Sequence, residues 1–373
     1  MRPTRARIHG RNLLVNLEVL RGLVPRGTSF CAAVKADAYG HGALTVASWL
    51  AAEGVEAFGV ATVEEGLQLR RSGLTQPIFL LGTLQEDEVA EALAADLDLF
   101  VWTRAAVSLL STAARGRSTP LRVHLKIDTG MGRVGCRPEE AEDIAQAIVH
   151  SLPLELTGVC THFAASDGPG PVGVPEQLDL FEGALSALKS RGWTPRYIHA
   201  ANSGAVLAWP ETHFNLVRPG IVLYGYPSPI EKEQEGRFLP VMELVSKVGW
   251  VKTVPAGTPL SYGSRYITDK TTDVATIPLG YADGYRRALT NVAPIWINDK
   301  LFTVSGTVCM DQFMVDLGPD SRIKAGDDVV LFGPPSPERS VQPPTAADLA
   351  ALSGTISYEI LCGISARVPR VSV

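Results

Sequence analysis

Two periods of hydrophobic and polar residues alternate along the N-terminal part of the chain. Short runs that are almost entirely apolar or β-branched are followed by stretches in which apolar residues return every three to four positions. The first pattern is typical of strands buried on both faces, and the second of amphipathic helices. Eight strands are predicted in this way: Ser29–Lys35, Ala57–Val63, Ile78–Thr83, Asp98–Thr103, Arg122–Asp128, Leu154–Phe163, Tyr197–Ser203 and Asn215–Gly225. The helical stretches between them include Ala43–Glu53, Val63–Arg71, Asp87–Asp96, Pro138–His150 and Gln177–Arg191.

This succession of strand and helix predicts an α/β fold. Parallel strands covered by helices are buried on both faces, and eight such units close naturally into a (β/α)8 barrel of the TIM type, roughly 230 residues long. An open, doubly wound sheet is the alternative that the pattern alone leaves open.

Beyond Gly236 the pattern changes to strand-like runs separated by turn residues. These runs are Val241–Val254, Thr272–Pro278, Pro294–Ile297, Leu301–Val308, Phe313–Leu317 and Asp328–Phe332. With 373 residues, two domains are expected. We therefore predict a barrel domain over residues 1–235 and a mostly β domain over residues 236–373, with the boundary in the charged segment Glu231–Arg237.

Composition restricts the function. Hydrophobic residues make up 46% and charged residues 20% of the chain, and no apolar run is long enough to span a membrane. The first residues are charged, without the apolar core of a secretory signal, so we expect a cytoplasmic protein. The net charge of −5 argues against nucleic acid as a partner. Five scattered cysteines without CxxC spacing argue against a disulfide framework or a zinc site.

Polar residues occur where the predicted barrel strands end. In barrels of this kind the carboxyl ends of the strands and the loops after them carry the chemistry. We expect one rim to collect the polar residues Lys35, Lys126, Asp128, His162, Asn202, Ser203 and Arg218.

Two lysines on this rim allow two interpretations each. Lys35 follows four apolar residues and precedes a glycine-rich loop, so it is a solvated charge or a partly buried amine. Burial lowers the pKa of a lysine, which favours formation of an imine. Lys126 is a functional residue or simply the ion-pair partner of Asp128.

Eight segments resemble those of the alanine racemase family, in the family's order and across essentially the whole chain. The first contains Lys35 within Ala-Val-Lys-Ala-Asp-Ala-Tyr-Gly-His-Gly. The others are Lys126–Arg133, Thr161–Phe163, Ala201–Ser203, Val217–Ile221, Ser261–Gly263, Gly280–Gly284 and Cys309–Asp311. The fold that the resemblance implies, a pyridoxal-phosphate barrel followed by a β domain, agrees with the strand pattern.

The resemblance implies an isomerase that interconverts L-alanine and D-alanine and supplies D-alanine for cell-wall peptidoglycan. Lys35 would hold pyridoxal 5′-phosphate as an imine, and a two-base mechanism on the aldimine of the substrate would use Lys35 and Tyr262. Racemisation requires a proton to leave one face of Cα and another to arrive on the opposite face, which two bases on opposite sides achieve. His162 would lie beside Tyr262 and Arg218.

Further cofactor contacts follow from the same resemblance. Arg218 would face the pyridine nitrogen, and because arginine stays protonated it cannot accept a proton from the ring. The cofactor is then a weaker electron sink, which favours prompt reprotonation at Cα over transamination. The residues implied as phosphate ligands are Tyr39, Ser203, Gly220, Ile221 and Tyr358.

The substrate carboxylate would be bound by Arg133 and the backbone amide of Met310. Lys126, often N-carboxylated in the family, would orient Arg133. Asn202, Tyr281 and Asp311 are implied as supporting residues. The family also places Tyr262 and Met310 in the active site of the partner subunit, which implies a homodimer.

Other functions are compatible with parts of this pattern. A serine or broad-specificity racemase and an amino-acid decarboxylase use related barrels, although Arg218 disfavours a decarboxylase. A non-catalytic carrier of pyridoxal phosphate would resemble the barrel alone. A metal-dependent barrel enzyme would need ligands such as Asp128, His162 and Asp167, which lack ligand spacing, so no metal is predicted. The sequence departs from the family at Arg286-Arg287, which concerns substrate access.

Overall fold

Eight parallel strands form a barrel in the N-terminal half of the computed structural model, which describes residues 2–168, 170–227 and 236–373. One strand precedes them, β1 (Arg5–Ile8). The barrel strands are β2 (Ser29–Ala33), β3 (Ala57–Val60), β4 (Ile78–Leu80), β5 (Asp98–Val101), β6 (Leu121–Lys126), β7 (Leu154–Cys160), β8 (Tyr197–His199) and β9 (Leu216–Val217). All eight predicted strands are present, and the (β/α)8 prediction is confirmed. Each strand ends before its predicted end, because the apolar run continues into the loop at the rim.

The strands follow one another around the barrel in the order β8-β7-β6-β5-β4-β3-β2-β9. The ladder between β6 and β7 is the most extensive, from Leu121 opposite Leu154 to Lys126 opposite Cys160. Between the two end strands, the backbone N–H of Arg218 donates to the carbonyl of Ala201 at 2.9 Å. The barrel is therefore nearly closed, and the open-sheet alternative is wrong.

Helices connect the strands and cover the outside of the barrel. Thr62 and Glu65 form a capping box at the start of the fourth helix, whose buried Val63, Gly66 and Leu69 share one face. The helices of the molecule are α1 (Gly10–Arg21), α2 (Lys35–Gly40), α3 (Ala43–Ala52), α4 (Val63–Arg71), α5 (Val89–Ala94), α6 (Arg104–Ala113), α7 (Ala141–Val149), α8 (Val174–Ser190), α9 (Ser203–Ala208), α10 (Ala346–Leu352) and α11 (Ser357–Cys362).

The C-terminal half is mostly β, as predicted. Its strands are β10 (Met242–Lys247), β11 (Trp250–Val254), β12 (Pro259–Leu260), β13 (Tyr266–Ile267), β14 (Thr272–Ile277), β15 (Pro294–Ile297), β16 (Lys300–Thr303), β17 (Phe313–Gly318), β18 (Asp328–Phe332) and β19 (Arg370–Ser372). Together with β1 they form sheets of six, three and two strands, and the largest has the order β16-β15-β18-β10-β1-β19. The single strand predicted over Val241–Val254 is two strands, because Val248 and Gly249 bond to Asp327 and Thr276 instead of continuing one ladder.

The first strand of the chain belongs to the sheet of the C-terminal half. β1 pairs antiparallel with β10 and parallel with β19. Assignment of the whole segment 1–235 to the barrel therefore needs correction at residues 5–8, which the sequence pattern did not separate from the barrel. The predicted boundary in Glu231–Arg237 lies, up to Glu235, outside the described residues, and the boundary stays a prediction.

Candidate active site

A cavity of about 430 Å³ opens at the carboxyl ends of the barrel strands. Its lining contains ten of the residues singled out in the sequence: Lys35, Tyr39, Lys126, Arg133, His162, Asn202, Ser203, Arg218, Gly220 and Tyr358. Parallel strands point their carboxyl ends to one rim, and the loops that follow bring these residues together from five different strands and from α11. Of the seven residues expected together at this rim, six line the cavity, and Asp128 is not among the described lining residues.

The cavity is strongly cationic. Lys35, Lys126, Arg133 and Arg218 all line it, and Asp167 is the acidic residue among the described lining residues. Burial lowers the pKa of Lys35, and the nearby Arg133 charge lowers it further. Burial also lowers the pKa of Lys126 to about 8. The site therefore favours anionic ligands and reactive, neutral amines.

Lys126 is buried at the end of β6. Asp128 accepts hydrogen bonds from the backbone of Gly130 at 3.0 Å and Gly132 at 3.1 Å, both through Oδ1. The described ion pairs do not include one between Lys126 and Asp128. The interpretation of Lys126 as a simple ion-pair partner is therefore wrong.

Arg218 is buried and fixed by four acceptors. Its guanidinium donates to Nδ1 of His199 at 2.7 Å and to Nδ1 of His162 at 3.2 Å. It also donates to the carbonyls of Thr161 at 2.8 Å and Ala200 at 3.0 Å. Because arginine has no acceptor, both histidines must accept at Nδ1, so each carries its proton on Nε2.

The histidine chain continues into the interior of the barrel. His199 Nε2–H donates to Nδ1 of His124 at 2.9 Å, and His124 Nε2 lies 3.5 Å from Oδ2 of Asp98. Arg122 Nε donates to the other oxygen of Asp98 at 2.6 Å. Burial lowers the pKa of both His124 and His199, so the chain joins a cation to an anion through two neutral rings.

These inner residues were missed in the sequence. The sequence prediction rests on polar residues at strand ends, whereas His124 lies inside β6 and Asp98 begins β5. A usable signal is present, because a histidine inside an otherwise apolar strand requires a buried partner.

Tyr39, Ser203 and Gly220 form a narrow cradle. The backbone N–H of Gly220 donates to Oγ of Ser203 at 2.9 Å, which leaves the hydroxyl proton of Ser203 available as a donor. A Cβ on Gly220 would lie 2.5 Å from the phenol oxygen of Tyr39, so only glycine fits there. Burial raises the pKa of both Tyr39 and Tyr358, whose rings lie 5.9 Å apart. Neutral phenols and a free hydroxyl can all donate hydrogen bonds to a phosphate. Ile221, the residue after Gly220, is buried.

Apart from Tyr358 in α11, the residues implied in the C-terminal half are not among the described residues that line this cavity. Tyr262 is 73%, Met310 53% and Tyr281 43% exposed, and none of them is among the described lining residues. Their segments are in contact, because the N–H groups of Tyr281 and Ala282 donate to the carbonyls of Cys309 and Met310 at 3.0 Å, and Ser261, next to Tyr262, lies 3.2 Å from Cys309 Sγ. Asp311, also exposed, accepts from Arg367 at 2.7 Å.

The remaining expectations from the sequence concern a metal site, disulfides and membrane-spanning helices. Across the described residues, no group of three or more His, Cys, Asp or Glu is placed to hold a metal ion, so Asp128, His162 and Asp167 do not form the metal set considered from the sequence. The five cysteines are free. Within the described ranges, no helix is both long and apolar enough to cross a membrane.

Two family models cover almost the entire chain. The model for the alanine racemase N-terminal domain matches residues 8–229, and that for the C-terminal domain matches residues 241–372. The chain belongs to the alanine racemase family. This is an enzyme family, as the motifs predicted.

Relatives support this membership over the full length. The alanine racemase of Treponema denticola is 41% identical over 377 residues, which cover 100% of this chain and 99% of that protein. The alanine racemase structure from Streptomyces coelicolor A3(2) is 41% identical, with a TM-score of 0.93 and coverage of 100% and 98%. An alanine racemase from Bartonella henselae with covalently bound pyridoxal phosphate is 27% identical, with a TM-score of 0.88 and coverage of 100% of both chains.

Proposed function

We propose that this chain interconverts L-alanine and D-alanine with pyridoxal 5′-phosphate and supplies D-alanine for peptidoglycan. The observation that carries the proposal is that Lys35, Arg218 and the cradle of Tyr39, Ser203 and Gly220 line one cationic cavity. The Bartonella henselae relative, which holds pyridoxal phosphate covalently, supports the choice of cofactor.

The described residues fit this cofactor. Lys35 would attach it covalently, since burial favours the neutral amine that reacts with an aldehyde. Ser203, Gly220 and Ile221 would bind the phosphate together with the phenols of Tyr39 and Tyr358. Arg218 would donate to the ring nitrogen. When bound, pyridoxal phosphate withdraws electrons from the substrate and acidifies its Cα–H bond.

Proton transfer would use two bases on opposite faces of Cα. Lys35 Nζ would remove or deliver the proton on one face, and Tyr262 Oη on the other. His162, with its proton on Nε2 because Nδ1 accepts from Arg218, would offer a hydrogen bond to Oη of Tyr262. Tyr262 is exposed and is not among the described residues that line the cavity of its own chain, so the tyrosine would come from a second copy in a homodimer.

Arg133 and the backbone amide of Met310 would bind the substrate carboxylate. Arg133 is exposed at the cavity mouth, and Met310 would come from the second copy with Tyr262. A carboxylated Lys126 would pair with Arg133 and orient it. The buried amine of Lys126, with its pKa near 8, is suited to this modification because the neutral amine is the form that reacts with CO2.

Three supporting residues would hold these ligands in place. Asn202 accepts from Ala205 N–H at 3.1 Å and from the Ser166 hydroxyl at 2.7 Å, which fixes the start of α9 where Ser203 lies. Asp311, bound to Arg367, and Tyr281 would hold the loop that carries Met310.

The proposal is tested with purified protein and pyridoxal phosphate in D2O. We expect L-alanine to be converted to D-alanine, and D-alanine to L-alanine, with deuterium incorporated at Cα in both directions. Chiral chromatography and mass spectrometry measure product and label. Release of CO2, or binding of the cofactor without any exchange at Cα, would contradict the proposal.

A further inference from the structure

Four consecutive residues after Lys35 have left-handed backbone conformation. The φ angles of Ala36, Asp37, Ala38 and Tyr39 are 51°, 53°, 54° and 53°. L-residues other than glycine avoid this region because Cβ approaches the following carbonyl oxygen. A run of four requires contacts that hold it in place, and Lys35 and Tyr39 lie at its two ends.

Glu65 anchors the beginning of this left-handed turn. One carboxylate oxygen, Oε1, accepts from the backbone N–H of Ala36 at 2.6 Å. The other, Oε2, accepts from the N–H of Ala61 at 2.7 Å. A single side chain at the start of α4 thus ties the residue after Lys35 to the end of the neighbouring strand β3.

His41 anchors the end of the turn. The side chain is 0% exposed, and its Nδ1–H donates to the carbonyls of Ala38 at 2.9 Å and Tyr39 at 3.0 Å. The ring stacks on Tyr224 with centroids 4.5 Å apart, and the Tyr224 phenol donates to the carbonyl of Ala33 at 2.9 Å. Burial lowers the pKa of His41 to about 4, so the ring is neutral and keeps its proton on Nδ1.

The turn is also confined on its outer side. Gly40 has a φ of +82°, and a Cβ there would collide with the carbonyl oxygen of Leu361 in α11. The same helix carries Tyr358, which lines the cavity and lies beside the ring of Tyr39. Neither Glu65 nor His41 is among the described residues that line the cavity.

We propose that Glu65 and His41 are positioning residues that hold the left-handed turn and so place Lys35 and Tyr39 in the same cavity. The proposal rests on the proposed function of Lys35 as the residue that carries pyridoxal phosphate. Without these anchors the turn relaxes toward right-handed or extended backbone, and Lys35 Nζ and the Tyr39 phenol no longer face one ligand.

Matched variants separate the hydrogen bonds from simple packing. His41→Asn keeps an N–H donor near the position of Nδ1, whereas His41→Phe keeps the ring and loses the donor. Glu65→Gln replaces one acceptor oxygen by a donor that faces a backbone N–H. Glu64→Gln, at the exposed neighbouring position, is the control.

Hydrogen–deuterium exchange of the apoprotein is the first readout. We expect amides 36–43 to exchange about 10-fold faster or more in His41→Phe and Glu65→Gln, with amides of β6 unchanged. His41→Asn and Glu64→Gln should resemble the wild type. Binding of pyridoxal phosphate, measured by equilibrium dialysis, should weaken about 10- to 100-fold in the first two variants only.

The outcomes are distinguishable. Borohydride trapping and peptide mapping of the wild type must first find pyridoxal phosphate on Lys35. Its absence from Lys35 would refute the proposed function. Hydrogen–deuterium exchange of the apoprotein would still show whether Glu65 and His41 hold the turn. An adduct on wild-type Lys35 combined with unchanged exchange and unchanged binding in both His41→Phe and Glu65→Gln would overturn the positioning roles. If His41→Phe fails to fold, Glu65→Gln, on the half-buried surface of α4, decides alone.

Discussion

The two halves of the molecule contribute to the candidate site in opposite ways. The barrel residues face inward and are bound to one another, as Arg218 is to four acceptors. Tyr262 and Met310, in contrast, are 73% and 53% exposed and are not among the described residues that line the cavity. One chain thus has a preorganised cofactor pocket and, separately, the groups proposed to complete a pocket. This difference supports the proposal that each site combines residues of two copies.

The fold explains this division. Eight parallel strands end at the same rim, so their loops must meet there. The C-terminal sheets are largely antiparallel and leave their loops on the surface. Exposed large side chains that lie together on such loops are typical of an interaction surface.

The largest expected effect comes from the barrel side. Lys35→Ala should remove covalent cofactor binding and lower racemisation by more than about 10³-fold, because the variant loses both the attachment point and a base. Absorbance of the bound cofactor and the D-alanine assay measure this. Lys189→Ala, at an exposed lysine of α8, should leave both unchanged. A Lys35→Ala enzyme that still carries covalent cofactor would remove Lys35 from its role.

A smaller loss is expected on the C-terminal side. Tyr262→Phe should lower racemisation about 10²-fold or more but keep the cofactor, because only one of two bases is lost. Proton exchange at Cα should persist for one enantiomer and decline for the other. Tyr266→Phe, a tyrosine bound to Asp316 at 2.8 Å, is the control. Equal loss of exchange from both enantiomers would argue against a two-base mechanism.

A change in reaction outcome is expected at Arg218. Arg218→Glu places an acid near the ring nitrogen, where it accepts a proton, and should raise transamination relative to racemisation several-fold. Pyruvate formation per racemisation event measures the ratio. Arg115→Glu, at an exposed position outside the described cavity lining, should leave it unchanged. A constant ratio in Arg218→Glu would contradict the proposed contact.

The smallest effect concerns stability. Burial lowers the pKa of His41 to about 4, below its ordinary value of 6.5. Between these values the unfolded chain binds the extra proton, so the free energy of unfolding falls as pH decreases from 6.5 to 4, by about 1.4 kcal/mol per pH unit for each such histidine. His124, His162 and His199 shift in the same direction.

Urea unfolding between pH 4 and 7 measures this slope. His41→Asn should make it shallower by about one proton, since asparagine does not titrate. An unchanged slope would mean that His41 is already charged in the folded protein or titrates normally.

Much of the barrel and its rim could be predicted from the sequence. The periodicity located all eight strands, and the position of Lys35 and Arg218 at strand ends predicted a common rim. The predicted strands extend past the observed carboxyl ends, because the apolar run continues into the loops that line the site. The strand Arg5–Ile8 could not be assigned, since its partner Met242–Lys247 lies far along the chain.

Other features depend on tertiary contacts. The left-handed turn after Lys35 contains alanines that ordinarily favour right-handed helix, and it is held by tertiary contacts that include those with Glu65, His41 and Leu361. The chain from Arg218 to Asp98 joins residues of four separate strands or strand ends, so no local pattern contains it. The exposure of Tyr262 likewise depends on how the C-terminal loops fold.

Complementation tests the two-copy site most directly. Lys35→Ala and Tyr262→Phe chains, each with a different affinity tag, are co-expressed and purified through both tags to isolate the mixed dimer. If each site combines Lys35 of one copy with Tyr262 of the other, the mixed dimer contains one intact site and should show about half of the wild-type activity. A mixed dimer as inactive as its two parents would contradict the account.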